Sequence, residues 1–156
     1  MKKILILLFI LSLNSNVLGA GDDSSSDDPK ISLYNEAVKL VKRAGKLEKK
    51  DKSEKAKKLY SQAFKKLDKA YKKDKKNPDI LNYLGFSLRK TGNLEKAEIF
   101  YLKGLKLDAG HLGINEYLGE LYVQTGRIEL AKERLEVLSG CNCEEYDELK
   151  ELIEKN

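Results

Sequence analysis

The chain has 156 residues, the length of one ordinary domain, and a net charge of +5 from 30 Lys and Arg against 25 Asp and Glu. One His, two Cys, one Met and no Trp argue against a centre built from several His or Cys ligands. The charge is segregated: residues 30–76 balance at +12 and residues 77–156 at −5. Residues 1–20 read as a cleaved signal peptide, with Met1-Lys2-Lys3 as a positive start, an apolar run from Ile4 to Leu13 and a polar-to-small tail ending Gly19-Ala20. That run is too short for the roughly 20 residues of a membrane span. The spacing allows cleavage after Gly19 or after Ala20, and it predicts a periplasmic or secreted protein of bacterial style. Residues 21–30 open GDDSSSDDP and read as a disordered linker. Its four Asp lack the spacing and closing Glu of a calcium loop.

Helical patterning follows. Residues 31–76 form a helix pair: Leu33 to Leu47, striped by Tyr34, Ala37, Val38, Val41 and Ala44, then Ser53 to about Lys75. The connector KLEKKDKSEK has no turn glycine, and its extra length fits an extended second helix, with Ala56, Leu59 and Tyr60 also inward, or a frayed charged loop; the extended helix is the reading taken. Residues 77–110 form a second pair: Asp79 to Lys90, stopped by Thr91-Gly92, then Leu94 to Leu107 after Asn93 as a cap. Gly85 and Ala97 allow close approach, while Leu84, Leu88, Ile99, Leu102 and Leu105 are expected to supply apolar area. Residues 111–140 repeat this plan. Residues 141–156 carry a capping helix striped by Tyr146, Leu149, Leu152 and Ile153, with its acids facing solvent.

Shifting Pro78–Lys106 by 34 positions superposes Ile80 on Ile114, Tyr83 on Tyr117, Leu84 on Leu118 and Gly85 on Gly119. It also superposes Thr91 on Thr125, Gly92 on Gly126, Glu95 on Glu129 and Ala97 on Ala131. Ordinary composition would leave about two such identities. NYLGFSLRKTGNLEKAEIFYLKGLKLD and EYLGELYVQTGRIELAKERLEVL both resemble tetratricopeptide repeats (TPRs). The resemblance implies an all-α, right-handed superhelix of antiparallel helix pairs, about three repeats with a C-terminal capping helix. Gly104, Ala109, Leu81 and Asn115 depart from that family's usual residues. The Cys-Glu-Glu-Tyr seam also resembles a group of short secreted bacterial repeat proteins.

Function follows from the same residues. Cys141 and Cys143 leave three readings open: a local disulfide, a thiol pair serving redox exchange or a soft metal, or a bond to another chain. His111, alone in a turn, makes a weak general base. No catalytic residue, metal site or cofactor is expected. The Lys-rich residues 30–76 suit an anionic membrane or an acidic protein better than nucleic acid, which is not expected as a partner. TPR arrays present their first helices along a concave groove, which implies a protein or peptide partner. The candidate contacts are Asp79, Asn82, Phe86, Arg89, Lys90, Glu116, Glu120, Val123 and Gln124, with Tyr83 and Tyr117 at the edge. The carboxylate clamp of some relatives is absent, because Asn82, Phe86 and Tyr117 hold its places. The expected role is a binding module and adaptor in envelope assembly. A thiol or metal handler centred on Cys141 and Cys143 is the alternative, and self-association through the ends is a third reading.

Overall fold

The computed structural model describes residues 29–156; the signal peptide and most of the acidic linker lie outside the described residues. Seven helices follow one another: α1 (Pro29–Glu48), α2 (Ser53–Lys73), α3 (Pro78–Lys90), α4 (Leu94–Leu105), α5 (Leu112–Gln124), α6 (Ile128–Leu138) and α7 (Glu144–Glu154). Among the described residues there is no strand, and no helix is long and apolar enough to cross a membrane. α1 pairs with α2, α3 with α4 and α5 with α6, while α7 lies against both α5 and α6. The architecture is an all-α, TPR-like solenoid. α1 begins at Pro29, four residues before the expected Leu33, consistent with the fixed φ of proline at a helix start.

Each turn is closed by local chemistry. Gly92 and Gly126 sit at φ of +90° and +74°, where only glycine is unstrained. The flanking Thr91 Oγ1 donates to Ser87 O at 3.0 Å, and Thr125 Oγ1 to Leu121 O at 2.9 Å. Asn93 N donates back to Leu88 O and Arg127 N to Tyr122 O, so both ends carry the left-handed helix stop. The first pair makes the same closure without glycine. Asp51 takes φ of +55°, and Lys52 N donates to Leu47 O. Asp51 stands 41 positions before Gly92, the 34-residue period plus seven. Seven residues are about two helical turns, so the insertion lengthens α2 yet returns its apolar face to nearly the same side. This is why both Ala56, Tyr60 and Ala63, counted from the turn, and Ala63, Leu67 and Ala70, counted from the far end, are buried.

Tight spacing within the pairs comes from glycines that face large side chains. A Cβ at Gly85 would lie 2.5 Å from the Tyr101 ring, and one at Gly119 would lie 2.5 Å from Leu149 Cδ2. Position 119 repeats position 85, but its space is filled from α7 rather than from α6. The cap helix therefore completes the last repeat. α4 packs through Ala97, Tyr101 and Gly104. This corrects the expectation for Ile99 and Leu102, which are 50% and 43% exposed. The buried set spaced four and three residues apart, closed by a ring the sequence reading overlooked, turns those two residues outward. A bidentate ion pair ties the last repeat to the middle one: Arg127 Nη1 and Nη2 donate to Glu98 at 2.9 and 2.8 Å.

Two substitutions test these devices. Asp51→Gly relieves a left-handed non-glycine residue and should raise unfolding free energy by about 0.5 kcal/mol, after glycine's entropic cost. Gly85→Ala drives a methyl into the Tyr101 ring and should cost about 1–3 kcal/mol. Urea melts of both variants against the parent chain read the two opposite shifts.

Candidate functional site: the concave cleft

The inner layer of the solenoid is formed by α1, α3, α5 and the start of α7. A cleft of about 460 Å³ opens there, bounded by Tyr34 of α1, Asp79, Asn82 and Tyr83 of α3, Glu116 and Tyr117 of α5, and Glu145 of α7. The loop Asp108–Gly113 closes one end.

Caps on α3 and α5 set its floor. Asn77 Oδ1 accepts from Ile80 N at 3.2 Å. One period later, His111 Nδ1 accepts from Ile114 N at 3.2 Å, and its Nε2 faces Asp79 Oδ1 at 3.2 Å. An Nδ1 that accepts leaves the ring proton on Nε2, pointed at Asp79. His111 is thus a helix cap that joins two repeats. Asn115 is fully buried and pins the same loop, with Nδ2 donating to Ala109 O and His111 O, both at 3.0 Å.

Aromatic rings line the inner layer. Tyr34 meets Tyr83 edge-on at 5.8 Å between centroids. Phe86 lies between Tyr60 at 5.7 Å and Tyr117 at 4.7 Å. Two cations cover Phe86: the Arg89 guanidinium at 5.5 Å and the Lys90 ammonium at 5.7 Å from its centroid. Both are held from behind. Arg89 pairs with Glu120, and Lys90 pairs with Glu48, which also accepts from Tyr60 Oη at 2.9 Å. Burial pushes the phenols of Tyr34, Tyr83 and Tyr117 up, and neighbouring acids add to this, so the rings stay neutral.

The expected contact residues therefore separate. Asp79 and Gln124 are exposed. Phe86, Arg89, Lys90 and Glu120 are half-buried or less exposed and bind one another or their neighbours across repeats. Asn82, Glu116 and Val123 are only 6%, 3% and 7% exposed. Val123, a candidate contact, offers little surface, because it is buried in a cluster with Leu118, Leu121 and Tyr122. Arg89 and Glu120, both named as candidate contacts, direct their charges at each other. Of the buried three, Asn82 and Glu116 still line the cleft.

The sequence reading missed that two acids of α7 meet residues of the inner layer. Glu145 reaches the cleft, and Glu148 is hydrogen-bonded to Glu116. Burial first, then Glu148 and Glu120, push the Glu116 carboxyl up to about 9. At neutral pH Glu116 is therefore protonated and donates to Glu148. Oxygens of Glu116, Glu120 and Glu148 lie within 4.8 Å of one another. The shared proton and Arg89 offset their repulsion. Cys141 and Cys143 are joined as a disulfide between α6 and α7, with Cα atoms 5.2 Å apart.

Comparison with known proteins agrees with this architecture. Residues 66–99 match the tetratricopeptide repeat family, a 34-residue window running from the second half of α2 into α4. No curated protein sequence matches the chain. The first TPR domain of human RPAP3 superposes with a TM-score of 0.52 at 21% identity, covering 76% of this chain and 90% of that one. The Yersinia enterocolitica type III secretion chaperone SycD, in complex with a peptide of the translocator YopD, gives 0.50 at 19% identity, covering 78% and 88%. The Sgt2 TPR domain of Aspergillus fumigatus gives 0.50 at 19%, covering 77% and 78%. Residues 66–99 thus carry a tetratricopeptide repeat, and the described residues share the fold of TPR domains.

The Glu116 proton has a consequence for stability. Its carboxyl is held far above the ordinary carboxylate range in the folded state, so the native chain binds more protons than the unfolded one between about pH 4.5 and 9. Its contribution is complete below that window and is lost as pH rises through it. Glu116→Gln keeps a donor for Glu148 without the titration. The variant should melt above the parent at pH 9, by on the order of 1 kcal/mol, and match it near pH 5. Thermal melts across pH 5–9 check the sign.

Proposed function

We propose that this protein is a binding module that holds a segment of a partner protein along its concave cleft, with no catalytic step of its own. The observation that carries this reading is the cleft itself. It is lined by three neutral tyrosines and by carboxyl groups from three different helices, α3, α5 and α7. Neutral rings with polar tips give contact area at low entropic cost, which suits a peptide laid across helix ends. The peptide carried by SycD is consistent with the same use of the fold.

The proposed location is the periplasm or the cell exterior, and the proposed role is an adaptor in envelope assembly. The leader-like residues Met1 to Ala20 and the Cys141–Cys143 disulfide support an oxidising compartment. The Lys-rich α1 and α2 remain a separate surface, suited to peripheral contact with anionic headgroups or an acidic protein.

A photoreactive residue tests the face used. It is placed at Leu112, exposed at the cleft mouth, or at Ile99 on the outer side of α4. In an envelope fraction the Leu112 site should label a discrete partner that the Ile99 site does not. Equal labelling from both, or labelling from Ile99 alone, contradicts the reading.

A further inference from the structure

We propose that the cleft is specific for a cationic side chain, so that the partner segment docks through a lysine or arginine. This rests on the concave face being the binding face, and it adds the chemistry of what enters.

The cleft is one-sided in charge. Asp79, Asp108 and Glu145 contribute carboxylates to its lining, and no Lys or Arg lines it. Arg89 and Lys90, at the far end of α3, are turned onto Phe86 and paired with Glu120 and Glu48. His111 turns both ring nitrogens to partners inside the fold, Nδ1 to Ile114 N and Nε2 to Asp79. The entering group therefore meets carboxylates with no positive neighbour among the lining residues.

A second observation is independent of the acids. Asn82 is 6% exposed, lines the cleft, and its Oδ1 has no hydrogen-bond partner. A buried acceptor left unmatched costs on the order of 1–3 kcal/mol, which a donor-rich ligand can recover. Ammonium and guanidinium groups carry donors and no acceptor, so they complement the carboxylates of this lining, where an entering carboxylate would meet like charge. The rings add to the match. Tyr34, Tyr83 and Tyr117 present neutral π-systems, and the neighbouring Phe86 and Tyr117 already hold the Arg89 guanidinium 5.5 and 5.7 Å from their centroids. The same inner layer thus uses cation–ring contact inside the fold and leaves a similar arrangement open beside it.

The test pans a library of random eight-residue peptides, uniform in composition, against the full chain at low and at physiological salt. Enriched peptides should share Lys or Arg at one position. Acetylating that lysine, or replacing that residue by Glu, should weaken binding at least tenfold, and Asp79→Asn combined with Glu145→Gln should do the same. Asp79 is exposed and Glu145 half-buried, and Asn at position 79 keeps an acceptor for His111, so the circular dichroism should match the parent. Enriched peptides that lack a basic residue, yet label through a photoreactive residue at Leu112, overturn the cationic specificity and leave the concave face as the binding face. Acidic peptides that label α2 instead overturn both. No enrichment of any peptide also overturns both.

Discussion

Everything in this fold depends on how closely neighbouring helices approach, within a repeat and between repeats, and that distance is set where glycine meets a large side chain. Gly85 faces the Tyr101 ring, Gly104 faces Ile114, and Gly119 faces Leu149, and in each case an added methyl would stand about 2.5 Å from the opposing carbon or closer. The contact is a matched pair of small and large, so neither member changes without the other. It also decides which residues face inward. With Tyr101 filling the space over Gly85, α4 turns Ile99 and Leu102 outward and brings α3 and α5 side by side. The cleft is the gap left between those helices.

The cap helix is part of the same device. Leu149 enters the space over Gly119, and this draws Glu145 to the cleft and Glu148 onto Glu116. A helix whose pattern is that of a solvent shield thereby contributes to the candidate site. The cost is a crowded set of carboxylates, offset by a proton and by Arg89. The Phe86 cluster shows the same economy: two cations stack on one ring while their acids come from α5 and α1. Residues that would otherwise reach a partner are committed to joining repeats. What remains for a ligand is the acidic, tyrosine-lined end of the groove.

Much of this was legible in the sequence, and the reasons are physical. The 34-residue period marked Gly92 and Gly126 as turns and Gly85 and Gly119 as close contacts, because such places tolerate few side chains. The extended α2 was legible from the apolar positions of Ala56 and Tyr60. Asp51 was not, because a left-handed aspartate leaves no compositional trace. Tyr101 escaped because Leu135, its counterpart one period on, does not repeat it. The groove candidates came from helix faces alone, and a face does not report that Arg89 and Glu120 neutralise each other or that Val123 is already covered. Glu148 is exposed, as its helix face suggests, but its contact with Glu116, 32 positions away in another helix, leaves no mark in the pattern of α7.

The concave cleft as the partner-binding face is tested most directly by amide chemical-shift mapping of the labelled protein with and without its captured partner. The largest changes should fall on Asp79–Tyr83 of α3, Leu112–Tyr117 of α5 and the first turn of α7. Changes centred on the outer helices α4 and α6, or on the Lys-rich α2, with the cleft residues unmoved, would contradict it.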